Sequence, residues 1–298
     1  MKMSQICRAS ISALTRRLPE FRGLGRFVLQ MDSWLTSQMS EHSYMAIADV
    51  NGGCRLLLDI RGWEQKFAFY YGRWEDTLIS SVKRHFDHDV FYDVGASIGL
   101  YSTTFGIVCR DRNTYVRAFE PVPTNLARLR QQLSLNGLNE SLVRIEATAL
   151  GEKAGSVNVR LTDSDRAGNA KVVSEGGVVV PMATLDRIWE SHYREPVGFI
   201  KIDTEGWDCK ILAGGRELLR ICRPNLLVEF NRERMRNLQI PMDETWRFLL
   251  DELNYKCFRV DRGGNEIPID DFGDWENLLF LSGETHCSAS SMKSTRRQ

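Results

Sequence analysis

From residue 89 onward the chain alternates short apolar runs with amphipathic stretches, and the apolar runs end in polar or glycine residues. Residues 90–94, 114–119, 142–145, 199–203 and 225–230 read as strands. Residues 98–109 and 124–136 read as helices, the second through Leu126, Leu129 and Leu133 on one face. Residues 244–253 form a further helix, with Trp246, Leu249, Leu250 and Leu253 in phase, and 256–260 and 277–281 read as two closing strands. This alternation commits a chain to a mostly parallel sheet covered by helices on both faces. Ligands of such sheets lie beyond the carboxyl ends of the strands, where strand order reverses. The residues that matter for chemistry are therefore the polar ones at strand ends.

Upstream, residues 1–40 are basic: Lys2, Arg8, Arg16, Arg17, Arg22 and Arg26 face only Glu20 and Asp32. Cys7, Ile11, Leu14, Leu18 and Phe21, then Leu24, Val28, Met31 and Leu35, recur at helical spacing, with a break near Pro19 and Gly23. This predicts an amphipathic helical arm, docked on its own domain or lying peripherally on a membrane surface or partner. Residues 44–70 read as strands, with 44–49 and 55–60 flanking Asn51-Gly52-Gly53 as a hairpin. A helix follows over 74–85. The expected organisation is an arm (1–40), a hairpin and helix (41–88), and a core (89–282). A β-ribbon is inserted in the core at 155–181, its strands 157–161 and 178–180 flanking a polar loop at 162–177, and a Ser-rich disordered tail (283–298) ends the chain.

Four strand-end motifs carry the chemistry. The first is Asp93-Val94-Gly95-Ala96-Ser97-Ile98-Gly99, leaving a strand and entering a helix. Its glycines allow a sharp turn and close approach to a ligand, and the helix N-terminus offers N–H groups to an anion. A dinucleotide fingerprint has GxGxxG; here Ser97 stands between glycines four apart, which suits a carboxylate better than a pyrophosphate, and Asp93 favours a ligand ammonium. The second is Glu120 in Phe119-Glu120-Pro121, about 25 residues past the first loop glycine, where an acid accepts hydrogen bonds from a ribose diol; alone, it reads equally as a solvated helix cap. The third is the turn around Thr148 in Ala147-Thr148-Ala149-Leu150, whose small residues admit a flat ring; a plain loop reads nearly as well. The fourth is Lys201-Ile202-Asp203-Thr204-Glu205-Gly206. Strand periodicity puts Lys201, Asp203 and Glu205 on one side, three ionisable groups that are costly to bury unless paired or bound. A carboxylate there takes a proton and the lysine holds a substrate oxygen; the competing reading is an ion pair with Asp203 or Thr204 capping the next helix. Glu229, ending the following strand, joins this set.

Together DVGASIGLYS (93–102), FEPVPTNLARL (119–129), ATALG (147–151), ATLDRI (183–188) and KIDTEGWDCKILAGG (201–215) resemble the FkbM-type methyltransferases, over about residues 70–282. The resemblance implies a class I S-adenosylmethionine-dependent enzyme: α/β, with a doubly wound, mostly parallel seven-stranded Rossmann-like sheet. It implies S-adenosyl-L-methionine as cofactor, with Asp93, Gly95, Ser97 and Gly99 at its methionine end, Glu120 on the ribose and Thr148 bordering adenine. It further implies O-methylation of a hydroxyl on a saccharide or another secondary metabolite. Family members usually carry Asn at the positions of Ser97 and, often, Ala147; Ser97 keeps a small hydrogen-bonding side chain, whereas Ala147 loses a polar contact. Asp203 or Glu205 is the expected proton acceptor, with Lys201 beside them.

The alternatives are an NAD(P)-dependent oxidoreductase on a similar sheet and a non-catalytic cofactor-binding module. Ser97 speaks against the first, and the Lys201/Asp203/Glu205 group against the second. With 39 basic and 39 acidic residues the net charge is zero, so no global grip on nucleic acid is expected. The 43% hydrophobic content rules out disorder for most of the chain. Seven cysteines without a CxxC pair fit a reducing, cytoplasmic setting rather than a disulfide framework or zinc site. No apolar run approaches the ~18 residues of a membrane span, and no signal peptide is expected. His85-Phe86-Asp87-His88-Asp89 reads as a solvated helix end rather than a metal site, and His192 as a surface residue. The acceptor is expected to be a small molecule or glycan.

Overall fold

The computed structural model describes residues 3–17, 24–37, 44–161, 170–173, 175–271, 273 and 275–283. The chain divides into two compact units: Met1–Asp76 with Asp163–Ala167, and Thr77–Thr162 with Gly168–Gln298.

The first unit contains α1 (Met3–Thr15), α2 (Leu24–Ser37), β1 (Met45–Val50), β2 (Cys54–Asp59) and α3 (Trp63–Tyr71). β1 and β2 pair antiparallel, with Ala48 opposite Leu56 and Val50 opposite Cys54. These four residues are buried while Met45 and Ile47 are exposed, the period-2 pattern of a half-buried hairpin. The strand expected up to residue 70 is instead α3. Its aromatic residues have strand propensity, but Gly72 closes a helix at φ 69, its N–H bonded to Ala68 O. Two basic residues of the N-terminal segment, Arg8 and Arg16, are used internally. Asp32, fully buried, accepts from Arg8 at 2.6 Å and from the Tyr70 hydroxyl at 2.8 Å, and lies 2.7 Å from Lys66 Nζ. Arg16 donates to Asp49 O and Phe69 O. The expected break at Pro19–Gly23, like Lys2 and Arg22, lies outside the described residues.

The second unit opens within α4 (Asp76–His85), all of which but Asp76 belongs to it and whose acidic start and basic end match the helix dipole. It continues through β3 (Val90–Val94), α5 (Leu100–Cys109), β4 (Val116–Phe119), α6 (Pro123–Leu135) and β5 (Val143–Glu146). Then come β6 (Ala149–Leu150), β7 (Gly155–Leu161), β8 (Ala170–Val173), β9 (Val178–Ala183) and α7 (Leu185–Ser191). Thr184 caps α7, its side chain accepting from Arg187 N. After these follow β10 (Val197–Ile202), α8 (Asp208–Ala213), α9 (Arg216–Cys222), β11 (Asn225–Asn231), α10 (Arg232–Asn237) and α11 (Met242–Arg247). A π turn over Phe248–Glu252 and β12 (Lys256–Val260), β13 (Glu266–Pro268) and β14 (Trp275–Leu281) complete the unit.

The main sheet runs β13-β12-β14-β11-β10-β3-β4-β5. The strands from β11 to β5 are parallel, and β14, β12 and β13 join antiparallel. It has eight strands where seven were expected; the extra one, β13, is a three-residue edge strand too short to leave a sequence period. A second sheet, β6-β9-β7-β8, is the expected ribbon with two more strands. β8 falls in the segment expected to be loop, and residues 162–169 and 174 of that segment lie outside the described ones. On one face of the main sheet Phe91 stacks between Phe105 and Phe199, with ring centroids at 4.3 and 5.4 Å. Such pairs contribute about 0.5–1.5 kcal/mol each beyond their buried area. The other face packs Trp189, Leu212, Leu219 and Phe230. Of the tail expected to be disordered, 283–298, all but residue 283 lies outside the described residues.

Among the described residues no cysteine is bonded to another. No described helix is long and apolar enough to cross a membrane.

Candidate active site

β3 lies between β4 and β10, so strand order reverses at its carboxyl end, where open α/β sheets bind ligands. Register sets Lys201 of β10 opposite Asp93 of β3. Asp93 is fully buried. Its Oδ2 accepts from the Ser102 hydroxyl at 2.5 Å, and its Oδ1 accepts no hydrogen bond. Burial lifts the Asp93 carboxyl above the usual range, with Lys201 opposing. Lys201 Nζ lies 3.7 Å from Asp93 Oδ1 and 3.5 Å from Asp203 Oδ2, and donates to Gly95 O at 3.1 Å. The lysine is 5% exposed and sits over the Tyr101 ring. Its charge is therefore engaged by two carboxylates and the glycine loop.

That loop turns back on β4: Gly95 N and Ala96 N both donate to Phe119 O. Gly95 has φ 77, and a Cβ there would stand 2.1 Å from Asp203 O, so the position admits only glycine. Gly99 precedes α5, and its N–H closes the loop on Ala96 O at 2.8 Å. Between them Ser97, at φ 51, donates its backbone N–H to Glu120 Oε2 at 2.8 Å. Val122 N donates to Glu120 Oε1 at 2.8 Å. Burial pushes Glu120 up to about 7, against the pull of these two N–H groups. The loop and the acid expected on the ribose thus form one hydrogen-bonded unit. The Thr148 hydroxyl donates to Pro181 O at 3.1 Å and so ties this turn to the ribbon.

Glu205 does not share the side of Lys201 and Asp203. β10 ends at Ile202, so strand alternation stops before Glu205, which sits in a turn at φ 61. It pairs with Arg234, whose Nη1 is also 3.9 Å from Glu229 Oε2. Sequence alternation was extended too far, and two clusters result: Asp93, Lys201 and Asp203 in one, Glu205, Arg234 and Glu229 in the other.

Residues 93–257, more than half of the chain, match the family described as the methyltransferase FkbM domain. The chain belongs to the FkbM methyltransferase family. It is similar to the methyltransferase FkbM from Methylobacillus flagellatus KT, at 16% identity and TM-score 0.44, over 93% of this chain and 58% of that one. It is similar to an rRNA methylase from Streptococcus thermophilus, at 11% identity and TM-score 0.39, over 69% and 95%. It is also similar to M. jannaschii TYW2 in complex with AdoMet, at 14% identity and TM-score 0.40, over 81% and 86%. No curated protein matches the chain. The family match sets the chain among methyltransferases rather than oxidoreductases.

Sequence reasoning assigned no role to Asp208 of this FkbM methyltransferase. Asp208 is fully buried at the start of α8. Its Oδ1 accepts from Thr204 N at 3.0 Å and the Thr204 hydroxyl at 3.1 Å, and its Oδ2 from Gly206 N at 3.1 Å. Burial, then the charge of Asp203, pushes it up to about 7. The carboxylate thus folds back over the preceding turn, while the N-cap expected of Asp203 or Thr204 falls to Trp207, which makes no side-chain cap bond. An acid in a helix's first turn ordinarily faces solvent, so only its place two residues after a glycine turn hinted at this. His85 bonds Glu266 and His192 bonds Glu146. No group of three or more His, Cys, Asp or Glu able to hold a metal occurs among the described residues.

Proposed function

We propose that this FkbM methyltransferase moves a methyl group from S-adenosylmethionine to a hydroxyl of a saccharide or another small metabolite. The observation that carries the reading is the buried Asp93 Oδ1, which accepts no hydrogen bond, beside a glycine loop bonded directly to Glu120. An ammonium at one end of a ligand and a diol at the other fit this pair. Gly95, Ser97 and Gly99 would line the amino-acid end, Glu120 would accept from the ribose hydroxyls, and the backbone near Thr148 would border the adenine. When bound, the cofactor supplies an electrophilic methyl group on a positively charged sulfur.

The chain's own part is to hold an acceptor oxygen in line and to take its proton. Asp203 is the proton acceptor in this reading. Its side chain is 34% exposed and 3.5 Å from Lys201 Nζ, so it is both reachable and held. Glu205, paired with Arg234, supports the turn instead. The zero net charge favours a small or glycan acceptor over nucleic acid.

The test is transfer of labelled methyl from the cofactor to a panel of glycans, lipids and small alcohols, with calorimetric titration of S-adenosylhomocysteine beside it. Asp203→Asn should lower turnover by about 10²–10⁴-fold and leave affinity for S-adenosylhomocysteine near wild type. Unchanged turnover would remove Asp203 from this role, and no heat with well-folded protein would remove the cofactor.

A further inference from the structure

The turn after β10 places two successive residues in the left-handed region, Glu205 at φ 61 and Gly206 at φ 95. A non-glycine residue held there persists only where its surroundings over-determine it, and such strain gathers at functional sites. Here the turn is gripped from two sides. From within, the Asp208 carboxylate accepts three hydrogen bonds from Thr204 and Gly206. From the other side Arg234 pairs with Glu205, and its Cβ lies 2.8 Å from where a Gly206 Cβ would be.

What the turn touches gives the grip its purpose. Asp203 N donates to Val94 O at 3.1 Å, joining the turn to the strand that launches the glycine loop. A Cβ at Gly95 would stand 2.1 Å from Asp203 O and 3.0 Å from Thr204 Cγ2. The backbone of 203–204 is therefore the wall against which the loop is folded. A small displacement of that wall moves Gly95 and the carbonyl on which Lys201 is seated.

We propose that Asp208 is a positioning residue for the cofactor's amino-acid end. Its carboxylate locks the Thr204–Gly206 turn, and the turn fixes the Gly95 loop. This assignment rests on the S-adenosylmethionine reading above. Asp208 is fully buried and acts only through the turn. Both carboxyl oxygens serve as acceptors, since the groups bonded to them are two backbone N–H groups and one hydroxyl. Asn would turn an NH₂ group toward one of them and leave a buried donor without an acceptor.

The experiment compares wild type, Asp208→Asn and Thr204→Val by calorimetric titration with S-adenosylhomocysteine and by amide hydrogen exchange. Asp208→Asn should weaken binding about tenfold or more, as expected for one lost hydrogen bond to a charged group. Exchange should speed up at Thr204 and Gly206 and stay unchanged in β4. Thr204→Val keeps the side chain's shape and removes only the hydroxyl bond, so a weakening of about threefold is expected. A residue that merely caps α8 would loosen the turn without touching affinity. Faster exchange at the turn with wild-type affinity therefore overturns the assignment, as does unchanged exchange. Should Asp208→Asn fail to fold, Thr204→Val decides by the same two readouts. Wild-type protein that gives no heat would overturn the cofactor reading itself, and this assignment with it.

Discussion

Glu120 links a local environment to a measurable pH dependence. Burial raises its carboxyl to about 7, so near neutral pH it is partly protonated in the folded protein. Ribose hydroxyls bond better to the ionised form. Affinity for S-adenosylhomocysteine should therefore be highest above pH 7 and fall as pH drops through about 7, by at most about tenfold per unit for a single proton. Asp208 titrates in the same range. Calorimetry on Glu120→Gln separates the two: its affinity should be weaker at pH 8.5 and nearly flat with pH if Glu120 is the titrating group. A slope equal to wild type would move the effect elsewhere. At Gly95 the argument is steric. Alanine would add a methyl 2.1 Å from Asp203 O at φ 77, in a backbone region that costs a non-glycine residue about 1–2 kcal/mol. Gly95→Ala should lose at least that much stability in denaturant titration, and should lose ligand binding with it.

Among the elements, the tie at Glu195 shows how the loop before β10 is held. Glu195 accepts from Tyr92 of β3 at 2.7 Å, from Arg117 of β4 at 2.9 Å, and from Tyr115. Arg117 and Glu195 side chains are 2% and 11% exposed. Removing one partner of a buried pair typically costs about 3–5 kcal/mol, so Glu195→Gln should shift the denaturation midpoint strongly at pH 7. Burial pushes Glu195 up, but hydrogen bonds from Arg117, Tyr115 and Tyr92 bring it below the ordinary value. A depressed carboxyl stabilises the fold above its unfolded pKa, about 4.3, and that stability is lost as pH falls through the folded value. The difference between wild type and Glu195→Gln should therefore shrink in acid. Four of the five parallel strands, β3, β4, β10 and β11, were legible because each is a buried run bounded by glycine or polar residues, and β5, with only Val143 buried, from its place in the alternation. Asp93 and Glu120 were legible because they end such runs. α3 was not, since aromatic residues in a row carry strand propensity while tertiary packing makes them a helix. β13 was too short for periodicity to register, β8 lies in a polar, Gly-containing stretch that reads as loop, and Glu205 was misplaced because no sequence signal marks where β10 stops. Asp208 was hidden because its role comes from folding back on a turn.

For the molecule as a whole, the division into two units carries its own prediction. The first unit is built on a two-stranded hairpin and three helices and the second on an eight-stranded sheet. Small domains bury a smaller share of their surface and are correspondingly less stable, and a two-stranded sheet is marginal without helical packing. Beside its apolar core, which includes Val28, Leu35, Val50, Leu56 and Leu58, the first unit holds a polar tie: the buried Asp32 with Arg8, Lys66 and Tyr70, drawn from three helices. Such a cluster is stable while complete and costly when broken. Native-state amide exchange should therefore show β1, β2 and α3 opening at lower free energy than β3 and β10. Asp32→Ala should lower protection throughout the first unit and leave the amides of β3 and β10 unchanged. Equal loss in both units would mean that the chain unfolds as one cooperative body, and the separation into two units would fail as a description of its energetics.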